Sequence, residues 1–166
     1  MATVSPDDFR AHSTWLHTNG AEGKQLSVAD ADLAGADLTG KNLVKAKLPS
    51  ANLSKAKLIG TDFSGAELQN ADLSEADCSG ASFANARLDH ANFKGADMDG
   101  TQLLGASVVK ADFSGADCSG AQFDGADATG ANFMNADLSG ADLTGAQQTG
   151  AVFLGADLTD TRGLHS

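Results

Sequence analysis

From Ala31 to Thr161 a small residue recurs at every fifth position without a slip: 23 Ala, three Thr (Thr61, Thr101, Thr161) and Lys41. Two places after each small residue stands an apolar one. These 26 central positions, Leu33 to Leu158, hold 13 Leu, seven Phe, Cys78, Cys118, Met98, Val108, Ala128 and a single polar residue, Gln148. Two places further on, 16 of 26 positions are Gly, with Asn70, Asn85 and Asn135 among the rest. That composition suits a corner with positive φ. A period of five matches neither a helix at 3.6 nor a flat strand at 2, so the chain must bend once per repeat. Within each repeat the small and central residues point to one side and the Asp or Asn between them points out. The unit is Ala-Asp/Asn-Leu/Phe-Ser/Thr-Gly.

No five-residue unit can bury its Leu alone, so the core has to come from stacking of successive turns. The runs Ala31-Asp32-Leu33-Ala34-Gly35 and Ala141-Asp142-Leu143-Thr144-Gly145 resemble the consensus of the pentapeptide-repeat proteins, over about four fifths of the chain. The resemblance implies an all-β solenoid, a right-handed quadrilateral β-helix with four pentads per coil. At the usual strand spacing of about 4.8 Å, about seven coils would make a rod about 32 Å long. Residues twenty apart should then stack. One central column becomes Leu33, Leu53, Leu73, Phe93, Phe113, Phe133, Phe153, and another Leu38, Leu58, Cys78, Met98, Cys118, Leu138, Leu158. Like packs on like, and the rings can stack offset. A third column, Leu43, Phe63, Phe83, Leu103, Phe123 and Leu143, is expected to be buried throughout. Outside, Asp32, Asn52, Asp72, Asn92, Asp112 and Asn132 alternate, so amides should bond to carboxylates above and below.

Three segments follow: a cap at 1–25, the array at 26–161 and a tail at 162–166. In the cap, Ser5-Pro6-Asp7-Asp8 supplies an N-cap, a Pro at the first helical position and an acid three residues after the cap. A helix is expected from about Pro6 to Thr18, ended by Asn19-Gly20. Phe9, His12, Trp15 and Leu16 fall near one face; Phe9, Trp15 and Leu16 are its capping residues, with Trp15 plugging the first coil around Leu26, Val28 and Leu33. The short tail should leave the last coil poorly covered, and Gln148 should bond to backbone or bound water or mark a fraying end.

Charge is uneven. Lys41, Lys45, Lys47, Lys55 and Lys57 cluster in the second coil, whereas residues 60–161 carry 16 acids against Arg87, Lys94 and Lys110, a net of −13. The outward column Asp77, Asp97, Asp117, Asp137, Asp157 is the candidate acidic partner face, with repulsion expected to raise some of its pKa values. Met134, Val152 and Leu154 form a candidate apolar patch near the uncovered end, and Leu104 and Val109 flank another corner.

Other chemistry is thinly represented. His12, His17, His90 and His165 have no ligand spacing. Cys78 and Cys118 would stand two coil spacings apart, about 9.6 Å, beyond disulfide reach. The carboxylates lie on convex faces with no insertion to build a recess, so neither catalysis nor a metal or other cofactor is expected. The N-terminus has no long apolar run, which predicts neither a signal peptide nor a membrane span and hence a cytoplasmic location. Direct nucleic-acid binding does not fit the charge. The expected role is a rigid scaffold for a protein partner, with homodimerisation through the C-terminal end as one use of the apolar patch. The family resemblance implies an alternative, because some pentapeptide-repeat proteins mimic DNA and bind type II topoisomerases such as gyrase. Residues 60–161 would carry one net charge per about 1.9 Å, against about 1.7 Å for duplex DNA.

Overall fold

The computed structural model describes residues 2–164; His165 and Ser166, the end of the expected tail, lie outside them. Each pentad closes a four-residue turn, as where the Leu33 carbonyl accepts from the Ala36 N–H at 3.0 Å. The residue at each corner has positive φ whatever its type, at Lys45, Glu75, His90 and Lys110 as at Gly65 or Gly100. Here the repeat dictates the conformation, and residues with a Cβ adopt it against their preference.

Every isolated bridge in the array is parallel and joins residues twenty apart, from Ser27–Lys47 to Asp142–Arg162. The chain therefore returns to itself after four pentads. Two bonds repeat at each bridge: the Leu53 N–H donates to the Asp72 carbonyl at 2.7 Å, and the Asp72 N–H donates to the Ala51 carbonyl at 2.9 Å. With nearly every strand position paired up and down, the backbone carries its own ladder through the molecule.

The core is a stack of layers running the length of the array, and central residues from Leu33 to Leu143 are buried. Phe93, Phe113, Phe133 and Phe153 stack at 4.8–5.2 Å between ring centroids. Phe63 stacks on Phe83 in the neighbouring column at 5.2 Å. The two columns meet edge to face, as at Phe113–Phe123 and Phe123–Phe133, the geometry that ring quadrupoles favour. Cys78 and Cys118 are free and buried. Burial, with Asp77 and Asp97 adding, pushes the Cys78 thiol far above its ordinary pKa, so it behaves as a small hydrophobe.

Thr61, Thr101 and Thr161 all fall in one column at the small position. Their hydroxyls donate to the Leu38, Cys78 and Leu138 carbonyls at 2.8–2.9 Å. Each joins one coil to the one before it, a role that "small residue" had not suggested.

The N-terminal end is closed by two short elements. Strand β1 (Ala2–Thr3) pairs in parallel with β2 (Ala31–Asp32), extending the ladder by one rung. Helix α1 (Pro6–His17) lies across the rest of the first coil, opened by a capping box in which Ser5 accepts from the Asp8 N–H and Asp8 accepts from the Ser5 N–H. It ends one residue before the expected Thr18, which is the C-cap. The return from the helix passes so close at Gly23 that a Cβ there would meet the Ala11 carbonyl oxygen at 2.4 Å and the Trp15 nitrogen at 2.6 Å. Among the described residues, no helix is long and apolar enough to cross a membrane.

The closure differs from expectation in its central residue. His12 is the fully buried side chain of α1, whereas Trp15 and Leu16 are half-buried at its rim. Phe9 does pack on the core, with Val4 beside it. Three residues away along the helix, Trp15 is rotated about 60° from His12. Its ring stacks on the imidazole at 5.7 Å and lies against Gly20.

Candidate interaction surfaces

The repeat lays its outward residues in straight columns, and the coil spacing sets their chemistry. Asp77, Asp97, Asp117, Asp137 and Asp157 bridge one to the next, giving five carboxylates in line. One oxygen of each is already occupied. Oδ1 accepts from the N–H two residues on, at 3.2 Å for Asp77 and Asp97, 3.0 Å for Asp117, 2.8 Å for Asp137 and 2.9 Å for Asp157. Hydroxyls of Ser79, Ser119 and Thr159 add a second bond to theirs. The expected upward pKa shift is reversed at Asp157: the Thr159 hydroxyl and N–H hold its carboxyl below the usual range. Local bonds to the charged form outweigh repulsion along the column there.

In the Asp/Asn column the amides bond one way only. Asn92 donates to Asp72 and Asn132 donates to Asp112, each at 3.0 Å, and Asn52 donates to Asp32 at 3.4 Å. Bonds to the acid on the other side do not form, because the one amide nitrogen is already turned to the acid before it and the oxygen, an acceptor, bonds its own corner, as where Asn132 accepts from the Met134 N–H at 3.1 Å.

The lysine-rich coil is partly neutralised by the coil that follows it. Lys47 pairs with Glu67 at 3.2 Å and Lys55 with Glu75 at 3.5 Å. Exposed pairs of this kind add little stability, but they leave the uncompensated charge further along the rod.

Met134, Val152 and Leu154 are all exposed, and Leu154 at 70% is the most exposed large apolar residue described. Leu158 and Leu164 join this end, both more than a third exposed. Sequence reasoning had placed Leu158 in a buried column, but no described coil covers it. Leu104 is exposed and Val109 half-buried at the other corner. Gln148 donates to the Gly163 carbonyl at 2.7 Å, a bond to backbone as anticipated. Gly163 sits so close over Leu143 that a Cβ would fall 2.4 Å from its carbonyl carbon. Among the described residues, no cluster of three or more His, Cys, Asp or Glu has a metal-holding arrangement.

The family model for pentapeptide repeats (8 copies) matches residues 29–65, 66–105, 111–147 and 129–162, and a second, for pentapeptide repeats (9 copies), matches residues 88–127. The chain belongs to the pentapeptide-repeat family. Its solved relatives make the architecture a right-handed β-helix solenoid. A trypsin-treated variant of QnrB1, a plasmid-mediated fluoroquinolone resistance protein, is 26% identical over 82% of this chain and 72% of its own, with a TM-score of 0.62. A second trypsin-treated QnrB1 variant shares 23% identity over 84% and 74% of the two chains, with a TM-score of 0.54. Rfr23, a pentapeptide-repeat protein from the cyanobacterium Cyanothece, is 26% identical over 82% of this chain and 90% of its own, with a TM-score of 0.47. No curated protein matches the chain.

Proposed function

We propose that this pentapeptide-repeat protein is a non-enzymatic interaction scaffold of the cytoplasm: a quadrilateral rod of about seven coils that binds a protein partner through its outward columns. The proposal includes no cofactor, membrane or direct nucleic-acid contact. The observation that carries it is the unbroken column Asp77 to Asp157, held in line by consecutive bridges and tied to its own turns. Such a column is preorganised, so a partner gains contacts without ordering loose side chains. The apolar end around Met134, Val152 and Leu154 supplies a second surface, through which two copies pair end to end. Sedimentation of the wild type and of a Val152→Glu/Leu154→Asp double variant tests that half. The wild type should run as a dimer at micromolar concentration and the variant as a monomer; a wild type that stays monomeric removes the dimer.

The likeness to QnrB1 at 26% identity, together with the acidic column, favours a second reading, a DNA-mimicking inhibitor or protector of a type II topoisomerase. Gyrase supercoiling over a salt series separates the two. A mimic should inhibit at low salt, lose potency as salt rises and weaken when Asp97, Asp117 and Asp137 all become Asn. Absence of inhibition at micromolar protein leaves the scaffold alone.

A further inference from the structure

His12 sits where α1 meets the first coil, with no exposed surface. Its Nδ1 accepts the N–H of Leu26, the first buried residue of the array, at 3.0 Å. A nitrogen that accepts carries no proton, so the neutral ring keeps its hydrogen on Nε2. That atom has no hydrogen-bond partner among the described residues. Addition of a proton would place an N–H at Nδ1 directly against the Leu26 N–H, two donors facing one another in a fully buried site. The bond that fastens helix to array would be lost and replaced by a repulsion.

We propose that His12 is an acid-operated latch, whose protonation releases α1 from the first coil while the coils themselves stay folded. The helix is the separable part of the molecule. Twelve residues are too few to hold helical form in water unaided, and the coils owe their backbone pairing to one another. Release would uncover Leu26 and open fully the cleft of about 700 Å³ that now lies between Phe9, Lys41 and the first coil. The Asp37 and Asn42 N–H groups on the rim of that cleft have no partner among the described residues, so the bared end is a strand edge ready to pair.

The surroundings favour the neutral ring. On α1 itself stand Asp8, one turn before His12, and His17; the return from the helix brings Glu22 and Lys24, and the start of the second coil brings Lys41 and Lys45. Asp8 is engaged by the Ser5 hydroxyl and N–H. Burial holds the His12 pKa below the ordinary 6.5. A released helix takes up the proton near pH 6.5 and the docked helix does not. Docking is therefore at full strength above about pH 6.5 and weakens, up to tenfold per pH unit, as pH falls from there towards the docked value.

Trp15 is the one tryptophan of the chain and stacks on the imidazole, so its fluorescence reports the latch directly. Between pH 8 and 5 the wild type should show a reversible shift in Trp15 emission with a midpoint below 6.5, while the β-type circular dichroism stays within about a tenth of its starting value. His12→Gln, whose amide accepts from Leu26 without titrating, should remove the shift, and His17→Gln should retain it. NMR should find His12 titrating below the ordinary histidine value of 6.5. The proposal is overturned if His12→Gln keeps the transition, if the coils unfold with the helix, or if His12 titrates at or above 6.5. The last measurement uses the wild type alone and decides the matter should His12→Gln fail to fold.

Discussion

The pentads Ala136-Asp137-Leu138 and Ala156-Asp157-Leu158 have the same three residues, yet Leu138 is fully buried and Leu158 is 36% exposed. Nothing local separates them. Among the described residues, Leu138 has a coil on either side and Leu158 has one. The two ends of the molecule repeat the contrast on a larger scale. At the N-terminal end a strand rung, a helix and a buried His12 cover the first layer, so that Leu26, Leu33, Leu38 and Leu43 are buried. At the other end Phe153 is half-buried and Leu154, Leu158 and Leu164 are open to solvent. In a solenoid, burial belongs to the neighbour, and what closes an end decides whether a core residue acts as one.

The sharpest test of that contrast truncates the same side chain in the interior and at the end. Phe83→Ala should cost about 3 to 5 kcal/mol in denaturant unfolding, whereas Phe153→Ala should cost about 1 kcal/mol or less, having less apolar surface to lose. Equal losses would show that the terminal layer is as well packed as the middle. A smaller effect belongs to the closed end. Ser5→Ala removes the capping box and should weaken the helix by about 1 kcal/mol, visible in Trp15 fluorescence but not in the unfolding of the coils. Relief of an unfavourable corner should act in the opposite sense. Lys110 has φ +55°, and Lys110→Gly should raise stability by roughly 0.5 to 1 kcal/mol, provided that the strain removed exceeds the added freedom of the unfolded chain.

The smallest effect is confined to acid. Asp157 has a folded pKa below its ordinary value through the Thr159 hydroxyl and N–H. Its contribution is present above the ordinary carboxylate range and is lost as pH falls through the lowered value. Thr159→Ala should move the Asp157 carboxyl titration upward in an NMR pH series and leave neutral-pH stability nearly unchanged. No movement would mean that the hydroxyl bond is not formed in solution.

The periodic part of the structure was legible because one rule is applied at each repeat. The twenty-residue register, the Phe columns, the buried cysteines and the positive-φ corners all follow from position within the pentad, and the bridges run as that position demands. Legibility failed where a residue's role depends on a direction or a neighbour that the rule does not contain. Thr61, Thr101 and Thr161 counted as merely small, although their hydroxyls join coils. The Asn side chains were expected to bond both ways, but each has one amide nitrogen to give and an oxygen claimed by its own turn. Leu158 obeyed the pattern and lacked a cover. The cap follows another period altogether, so Trp15, the largest side chain, was assigned the place that helical phase gives to His12.

The fixed offset between bridged residues also limits how a chain of this kind can change in length. Insertion of twenty residues adds one layer, lengthens the rod by about 4.8 Å and leaves every downstream column in phase, so that Asp77 and Asp97 would still share a line with any acid added between them. Insertion of five shifts everything beyond it by one pentad against the twenty-residue offset, moving the acidic residues into a different outward column while disturbing no central residue's inward direction. Insertion of any number not divisible by five takes the downstream Leu out of the central position, and an insertion of one puts Asp there in its place, until the error is corrected. Duplication by whole layers is therefore the mutational path that preserves a binding face, and a five-residue slip is the shortest path to a new one.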